Sequence, residues 1–408
     1  MKLLVVSQYF WPENFRINDL VQELVARGHD VTVLTGVPNY PDGEVLAEFK
    51  TSPADFSGYH GARVLRVPMI PRGRGGFELI FNYASFALSA AVIGPFKLRG
   101  VAFDRIFVFE PSPITVGIPA VVLRWLRKAP VAFWTLDLWP ETLEAIGAVK
   151  SKVALGFVGR VVAFIYNRCD LILAQSRSFI PQIEKYCDDP RRIQYFASWA
   201  EAVHDAGDVA PAPEVSSRAG VFTVLFTGNV GEAQDFPAIL DAADRLRNER
   251  VRWIVVGDGR FAPWVREEIA RRNLQDAVLM LGRFPVERMP SFYSHADALL
   301  VSLRPDPIFA MTIPGKLQSY LAAGIPILAM LDGEGAQVVE QGAAGLTCAA
   351  GDAEGLAGAV LALAAMPEPE RRAMGQRARA LAAAEFDRTG QIDKLERLLT
   401  DLKLKGRR

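Results

Sequence analysis

A cation, a hydroxyl and a helix start coincide in residues 304–324, RPDPIFAMTIPGKLQSYLAAG. Thr312-Ile313-Pro314-Gly315-Lys316 leads into a predicted helix over 317–323. Proline near the first turn favours the start, and Gly324 marks the stop. The turn offers the Thr312 hydroxyl, backbone amides without intrahelical partners and the Lys316 ammonium, a set able to hold a diphosphate. Arg304 is a second cation within reach by sequence. The plain alternative is a capped helix with a solvated lysine; the coincidence of three features favours the anion site.

Three glycine turns follow predicted strands: Phe226-Thr227-Gly228-Asn229-Val230-Gly231, Val256-Gly257-Asp258-Gly259 and Leu281-Gly282-Arg283-Phe284. Glycine permits tight turns and close backbone approach to a ligand. Any α/β protein places glycines there, so each turn alone reads as structural. Three in one half of the chain favour a nucleotide-type ligand. None is a Walker A loop or a complete GxGxxG fingerprint.

The first half carries aromatic, proline-shaped loops after its predicted strands. They are Tyr9-Phe10-Trp11-Pro12-Glu13-Asn14-Phe15-Arg16, Gly36-Val37-Pro38-Asn39-Tyr40-Pro41 and Asp137-Leu138-Trp139-Pro140-Glu141. Ring faces with a few carboxylates and amides suit a sugar, whose C–H face packs on rings while its hydroxyls are hydrogen-bonded. Trp11, Asn39, Tyr40, Trp139 and Glu141 are the candidate sugar contacts; Glu13, Arg16 and Asp137 are the candidate catalytic groups. Loop packing alone would account for Trp11 and Trp139, but less well for the three carboxylates. His29, His60, His204 and His295 are scattered, and no HxH, HExxH or DxD pattern appears, so no metal site is expected. His29, in a helix-to-strand turn, reads as structural.

These groups need strands to carry them. Apolar runs at 2–6, 31–34, 104–109, 131–136 and 170–174 alternate with helical patterns at 17–26, 114–126 and up to 186. The alternation restarts at 221–226, 237–247, 253–256, 277–281, 298–301 and 325–329. Strands apolar throughout and separated by helices mean parallel sheets covered on both faces. Residues 202–217, AVHDAGDVAPAPEVSS, lack apolar periodicity and read as a linker. The expected organisation is two doubly wound α/β domains, 1–201 and 218–385, facing a cleft, with a terminal helix over 386–408. Ligands in such sheets sit at the carboxyl ends of strands.

The 408 residues suit two domains. Lys+Arg and Asp+Glu are 46 each, so no basic excess points to bulk nucleic-acid binding. Three distant cysteines make no disulfide framework and suit a reducing cytoplasm. Met1 leads straight into an apolar strand, and no signal peptide is read. Residues 77–96 are strongly apolar and flanked by Arg72, Arg74, Lys97 and Arg99. Two readings stay open: an in-plane helix near lipid phosphates, or a buried helix of the first domain. Residues 153–166 have the same two readings, with a lean to core. The basic end of the chain, Lys403, Lys405, Arg407 and Arg408, reads as a frayed surface tail.

Taken together, QYFWPE (8–13), TGVPNYPDG (35–43), DLWPETL (137–143), FTGNVGEAQDF (226–236), VGDGR (256–260), LGRFPVERMP (281–290) and TIPGKLQSYLAAG (312–324) resemble glycosyltransferase family 4. Within it they are similar to the bacterial branch containing N-acetyl-L-fucosamine transferases of O-antigen and capsule assembly. The resemblance spans nearly the whole chain. It implies a GT-B fold, with two Rossmann-like domains facing a central cleft and a C-terminal helix crossing back to the first. It implies a nucleoside-diphosphate sugar in the second domain and an acceptor in the first. Retention of anomeric configuration is implied, without an obligatory metal or a cofactor.

Departures from the family pattern fall at Met311 and Ser319, where many members have glutamates. They fall also at Asn229 and Gln234, where many have Arg and Lys, and at Leu136, where many have His. The expected donor contacts are therefore Gly228, Asn229, Gly257, Gly259, Arg283, Phe284, Arg304, Thr312, Pro314, Gly315, Lys316 and Ser319. The expected activity moves a sugar, an N-acetylated deoxyhexosamine, from a UDP-sugar to a polyprenyl-diphosphate-linked saccharide. That lipid-linked acceptor places the protein in the cytoplasm, peripheral on the inner face of the cell membrane. A sugar-nucleotide epimerase of the same architecture and a non-catalytic scaffold on a decayed transferase fold are the alternatives.

Overall fold

The computed structural model describes every residue except 42, 74–75, 146–148, 150, 201–208 and 405–408. The chain divides into two units, Met1–Phe196 with Ile392–Arg408, and Ala197–Gln391.

The first unit is built on eight strands: β1 (Lys2–Val6), β2 (Asp30–Thr35), β3 (Gly58–Tyr59), β4 (Ala62–Arg66), β5 (Arg105–Glu110), β6 (Val131–Thr135), β7 (Leu171–Ala174) and β8 (Ile193–Tyr195). Their order is β3-β4-β2-β1-β5-β6-β7-β8, parallel except for the β3–β4 pair. The central strands are apolar on both faces because helices cover both, and Leu3, Val5, Ile106, Phe107 and Phe133 are fully buried. The Arg16–Ala26 helix buries Ile17, Leu20, Val21 and Leu24, one stripe at helical spacing. Gly28, at φ 84°, takes the left-handed conformation that lets the chain turn into β2. Right-handed crossovers place this helix on one face of the sheet. They place the Gly76–Lys97, Gly117–Arg127 and Lys152–Tyr166 helices together on the other.

The second unit has six parallel strands: β9 (Phe222–Thr227), β10 (Val251–Val256), β11 (Val278–Gly282), β12 (Ala298–Ser302), β13 (Ile327–Met330) and β14 (Gly345–Cys348). The order is β11-β10-β9-β12-β13-β14. Each unit therefore has one point where the winding reverses, β1/β5 in the first and β9/β12 in the second. At such a point the outgoing loops diverge and leave a crevice at the carboxyl edge.

The structure departs from the sequence reading in several places. Residues 58–66 form an edge hairpin, and β8 and β14 extend the two sheets. The helix expected from 114 opens with a 3-10 turn, Ile114–Val116, before the Gly117–Arg127 helix. The helix expected up to 186 is a turn at Arg177–Phe179 and a short Ile180–Glu184 helix. Of the expected linker 202–217, residues 202–208 lie outside the described residues. The remainder is docked rather than loose: Ala212 and Val215 are buried. The Ala212 amide donates to the Ser291 carbonyl (2.9 Å), and Glu214 pairs with Arg288 (2.8 Å).

The terminal helix runs Arg388–Asp401 and buries Ile392, Leu395 and Leu399. Its Glu396 meets both Arg27 (2.6 Å) and His29 (2.5 Å). The Arg105 guanidinium donates to the Leu399 and Thr400 carbonyls (2.5 and 2.9 Å), satisfying groups the helix end leaves open. Lys405, Arg407 and Arg408 lie outside the described residues.

Candidate active site

In the second unit the site assembles at the β9/β12 reversal. Gly228, at φ 116°, ends β9 and turns the chain. The Gly315–Ala323 helix starts beneath it after Pro314 and stops at Gly324, φ 71°. Lys316 lies in the first turn of that helix. Its stem is partly exposed, but its ammonium is buried and has no hydrogen-bond partner. Nζ sits 3.6 Å from the centre of the Phe226 ring, and a Cβ built on Gly228 would lie 3.6 Å from it. Burial lowers its pKa to about 7. An unpaired buried cation is costly unless an anion completes it. This arrangement thus holds a donor ready for an anion, at a helix N-terminus whose amides point the same way.

Tyr320, one turn below Lys316, holds the two elements in register. Its hydroxyl accepts from the Thr227 amide (2.7 Å) and donates to the Thr227 carbonyl (3.2 Å), pinning the end of β9 to the helix. The Arg304 amide donates to the Ala233 carbonyl (2.9 Å), tying the loop after β12 to the turn after Gly231. Its guanidinium lies over the Phe309 ring at 5.7 Å.

In the first unit the loops after β1, β2, β5 and β6 each contain a cis X-Pro bond: Trp11-Pro12, Tyr40-Pro41, Ser112-Pro113 and Trp139-Pro140. Asp137 ends β6. Its carboxylate accepts from the Thr142 hydroxyl (2.5 Å) and the Trp139 indole (3.2 Å). Burial raises its pKa, and the bonds from Thr142, Ser112 and Trp139 oppose the rise. Behind it lies Glu110, fully buried at the end of β5. One of its oxygens accepts the Asp137 amide at 3.4 Å; the other has no partner. Burial, with the Asp137 charge adding to it, pushes the Glu110 carboxyl well above the usual range. A shallow groove beside the Asp137 loop is lined by Pro140, Glu141, Glu144, Gly156, Arg160 and Tyr186.

Several expected contacts turn out to hold the loops. Glu13 accepts the amides of Phe10 (3.2 Å), Asn39 (2.7 Å) and Tyr40 (2.7 Å) and is buried. Both its oxygens are committed to tying the β1 and β2 loops together, so it is a clamp rather than a catalytic group. Asn39 is buried too, its side chain spent on the Val37 carbonyl and the Arg72 amide (2.7 Å each). Trp139 is buried, with its indole on Asp137 and its ring against Tyr83 at 6.2 Å, and presents no open face. Trp11 packs on Phe56 and Tyr59. Tyr40 remains exposed beside Tyr9 and Phe15. Glu141 is half-buried near the Tyr186 hydroxyl (3.5 Å), and Arg16 opens its helix half-buried.

In the second unit, a Cβ on Gly257 would stand 1.8 Å from the Gly228 carbonyl, and one on Gly259 2.3 Å from that of Val230. Contact between backbones explains glycine there. Thr312 donates its hydroxyl back to the Ile308 carbonyl (2.9 Å). Asn229 is exposed, Ser319 and Pro314 are buried, and Gly315 is exposed at the helix start. Phe284 packs on Phe292 (4.8 Å), and Arg283 is exposed after β11, which β10 separates from β9. The sequence reading missed Tyr320 and Glu110. The first has a signal, its i+4 spacing from Lys316, which puts both on one helix face. The second has none. Among the described residues no cluster of His, Cys, Asp and Glu could hold a metal.

Two doubly wound units, each with its residues at a winding reversal, and an anion cradle in the second, give the architecture of the GT-B fold. The comparisons make this specific. Residues 14–199 match the family described as glycosyl transferase 4-like domain, and residues 221–366 match glycosyl transferases group 1. The chain is thus a glycosyltransferase that carries a glycosyl transferase 4-like domain followed by a glycosyl transferases group 1 domain.

It is similar to the probable glycosyltransferase WbjE of Pseudomonas aeruginosa, 27% identical over 59% of this chain and 62% of that protein. The chain thus spans less than two thirds of WbjE's length. The putative colanic acid biosynthesis glycosyl transferase WcaI of Escherichia coli is 25% identical over 79% of this chain and 82% of that one. The fold matches Anabaena Alr3699/HepE solved with UDP and glucose (TM-score 0.67, 16% identity, 98% and 100% covered). It also matches WaaG, a glycosyltransferase involved in lipopolysaccharide biosynthesis (TM-score 0.70, 14% identity, 98% and 100% covered).

Proposed function

We propose that this chain transfers a sugar, an N-acetylated deoxyhexosamine, from a UDP-sugar to a polyprenyl-diphosphate-linked saccharide in cell-surface polysaccharide synthesis. The configuration at the anomeric carbon is retained. The reaction takes place at the inner face of the cell membrane, where such an acceptor is anchored. The observation that carries the reading is the buried, unpartnered Lys316 ammonium at the β9/β12 reversal. The UDP bound in HepE and the polysaccharide roles in the names of WcaI and WaaG support it.

When the bond from the anomeric carbon to the diphosphate breaks, negative charge grows on the leaving oxygen. Lys316, the Gly315 and Lys316 amides and Arg304 supply fixed positive charge there, and preorganised charge of this kind lowers the barrier. Arg283, exposed after β11, completes the cation set. Gly228, Asn229 and Ser319 line the donor. Asp137, held by Thr142 and Trp139, orients a sugar hydroxyl; Arg16 and Tyr40 stand by the acceptor, and Glu141 lines the groove beside it.

The test is a screen of UDP- and GDP-sugars against lipid-linked saccharides, read by mass spectrometry. Product is expected only with a UDP-sugar and an acceptor together. Turnover of the donor alone would make the chain an epimerase. Absence of UDP binding by calorimetry would make it a scaffold.

A further inference from the structure

We propose that the Gly76–Lys97, Gly117–Arg127 and Lys152–Tyr166 helices together form one docking face for an anionic lipid bilayer, lying in its plane. Sixteen large apolar side chains are exposed among the described residues, and ten of them belong to these three helices. The topology puts the three on the same side of the first sheet, so the ten form one patch rather than scattered singles.

The Gly76–Lys97 helix is apolar all round. Phe86, Ala90 and Gly94 pack inward, while Phe81, Ala84, Leu88, Val92 and Phe96 form an outward stripe at steps of three and four. A helix apolar on its outer half needs a non-aqueous neighbour. Trp125 (65% exposed) and Leu126 stand on the second helix, and Val153 (85%) and Phe157 (65%) on the third. The expected lean of 153–166 to core therefore holds for Gly159, Val162, Ile165 and Tyr166 but not for the outward Val153, Phe157 and Phe164.

The rim is cationic. Lys97, Arg99, Lys128, Lys152, Arg160 and Arg168 are exposed on or just after these helices, against one exposed carboxylate, Glu78. That imbalance sits on a chain whose formal charge is zero. Apolar stripes edged by Lys and Arg fit the boundary of an anionic bilayer, with Trp at the headgroup level. A second copy of the chain fits poorly, because a twofold contact sets each patch on itself and brings the cations together.

Spanning does not fit either, although the helix is long and apolar enough to cross a membrane. Asn82, on its inner side, is bonded to Gln8 (2.7 Å) and the Ile70 carbonyl (2.6 Å), contacts a span would break. That same bond fixes the orientation. Crossover helices begin at the carboxyl edge of the strands, and Asn82 and Tyr83 touch the β1 loop and Trp139 there. Docking by this face therefore sets the Asp137 loop at the bilayer edge. This deepens the reading of a lipid-linked acceptor, but rests on it only for that consequence.

The test is co-sedimentation of the full chain with phosphatidylcholine vesicles containing about 30% phosphatidylglycerol and with pure phosphatidylcholine. Tighter binding to the anionic vesicles by about tenfold or more, weakened by 0.5 M salt, is expected. The triple variant Leu88→Ser, Trp125→Ser, Phe157→Ser should lose that binding about tenfold while its UDP affinity, a property of the second unit, stays unchanged. A Trp125→Phe variant should still bind but lose quenching by brominated lipid. Undiminished binding of the triple variant, or no binding of the natural chain to anionic vesicles, overturns the proposal. So does a lipid-free dimer that the triple variant abolishes. Vesicle binding without any sugar transfer leaves the docking face standing and removes the acceptor reading instead.

Discussion

The Lys316 ammonium is buried beside Phe226 without a hydrogen-bond partner, and burial brings its pKa from 10.5 to about 7. The folded value is below the unfolded one, so the unfolded chain holds the extra proton between about pH 7 and 10.5. This side chain therefore costs stability below about pH 7, and the cost is relieved as pH rises to 10.5. Lys316→Met should raise the melting temperature of the free protein at pH 7 and weaken UDP binding. One charge-assisted contact is worth about 1.5–3 kcal/mol, so roughly 10- to 100-fold in Kd is expected by calorimetry. At pH 8 UDP is fully ionised, and its binding should take up close to one proton in the natural chain and none in the variant. Titrations in two buffers of different ionisation enthalpy measure this. Lys316 was legible because its cation, hydroxyl and helix start are contiguous. Glu110 was not, since nothing in the FVFEPSP run shows that it lies behind a carboxylate 27 residues on. Burial, with the Asp137 charge adding to it, favours the neutral form of the Glu110 carboxyl. Glu110→Gln keeps the shape of that neutral form and should leave kcat within about threefold, whereas Asp137→Ala should lose on the order of 100-fold or more.

The donor loop depends on two close approaches between elements. The Tyr320 hydroxyl joins the Gly315–Ala323 helix to the end of β9, and Tyr320→Phe leaves the buried Thr227 amide without its acceptor. About 1–3 kcal/mol is expected from the denaturant midpoint, with a several-fold weaker UDP affinity because Lys316 rides on the same helix. Gly257→Ala is harsher. Its Cβ would fall 1.8 Å from the Gly228 carbonyl, and both partners are backbone, so the turn itself must move. UDP should then no longer raise the melting temperature. The central strands were readable because a parallel strand buried on both faces is a nearly continuous apolar run, as in the LLVV of β1 and the ALLV of β12. The edges were not. In β4, ARVLR alternates with a half-exposed face, and β14, GLTC, has no apolar run; pairing with β2 and β13 makes them strands. The 77–96 and 153–166 segments left two readings open because composition cannot say which half of an all-apolar helix faces inward.

The chain passes from the first unit to the second after Phe196 and returns after Gln391, so the terminal helix is far in sequence from the sheet it completes. Ile392, Leu395 and Leu399 are fully buried there, and Glu396 satisfies Arg27 and His29. Each such aliphatic side chain is worth about 1.5–3 kcal/mol on burial, a sum comparable to the stability of a whole domain. The two units should therefore differ when cut apart. Residues 197–391 hold all six strands of the second sheet, Lys316, Tyr320 and the Gly228 turn, so this piece should fold alone and bind UDP without transferring sugar. Residues 1–196 alone expose the three sites that Ile392, Leu395 and Leu399 fill and leave Arg27 without Asp393 and Glu396, and should aggregate. Joining 392–404 to residue 196 through a flexible linker restores those contacts and should restore a cooperative melt. Glu396→Ala in that joined piece should lower its melting temperature, since His29 loses its carboxylate and Arg27 keeps Glu23 and Asp393 but loses its third. A soluble, cooperatively melting 1–196 would show that the helix is an ornament of the fold and not part of its core.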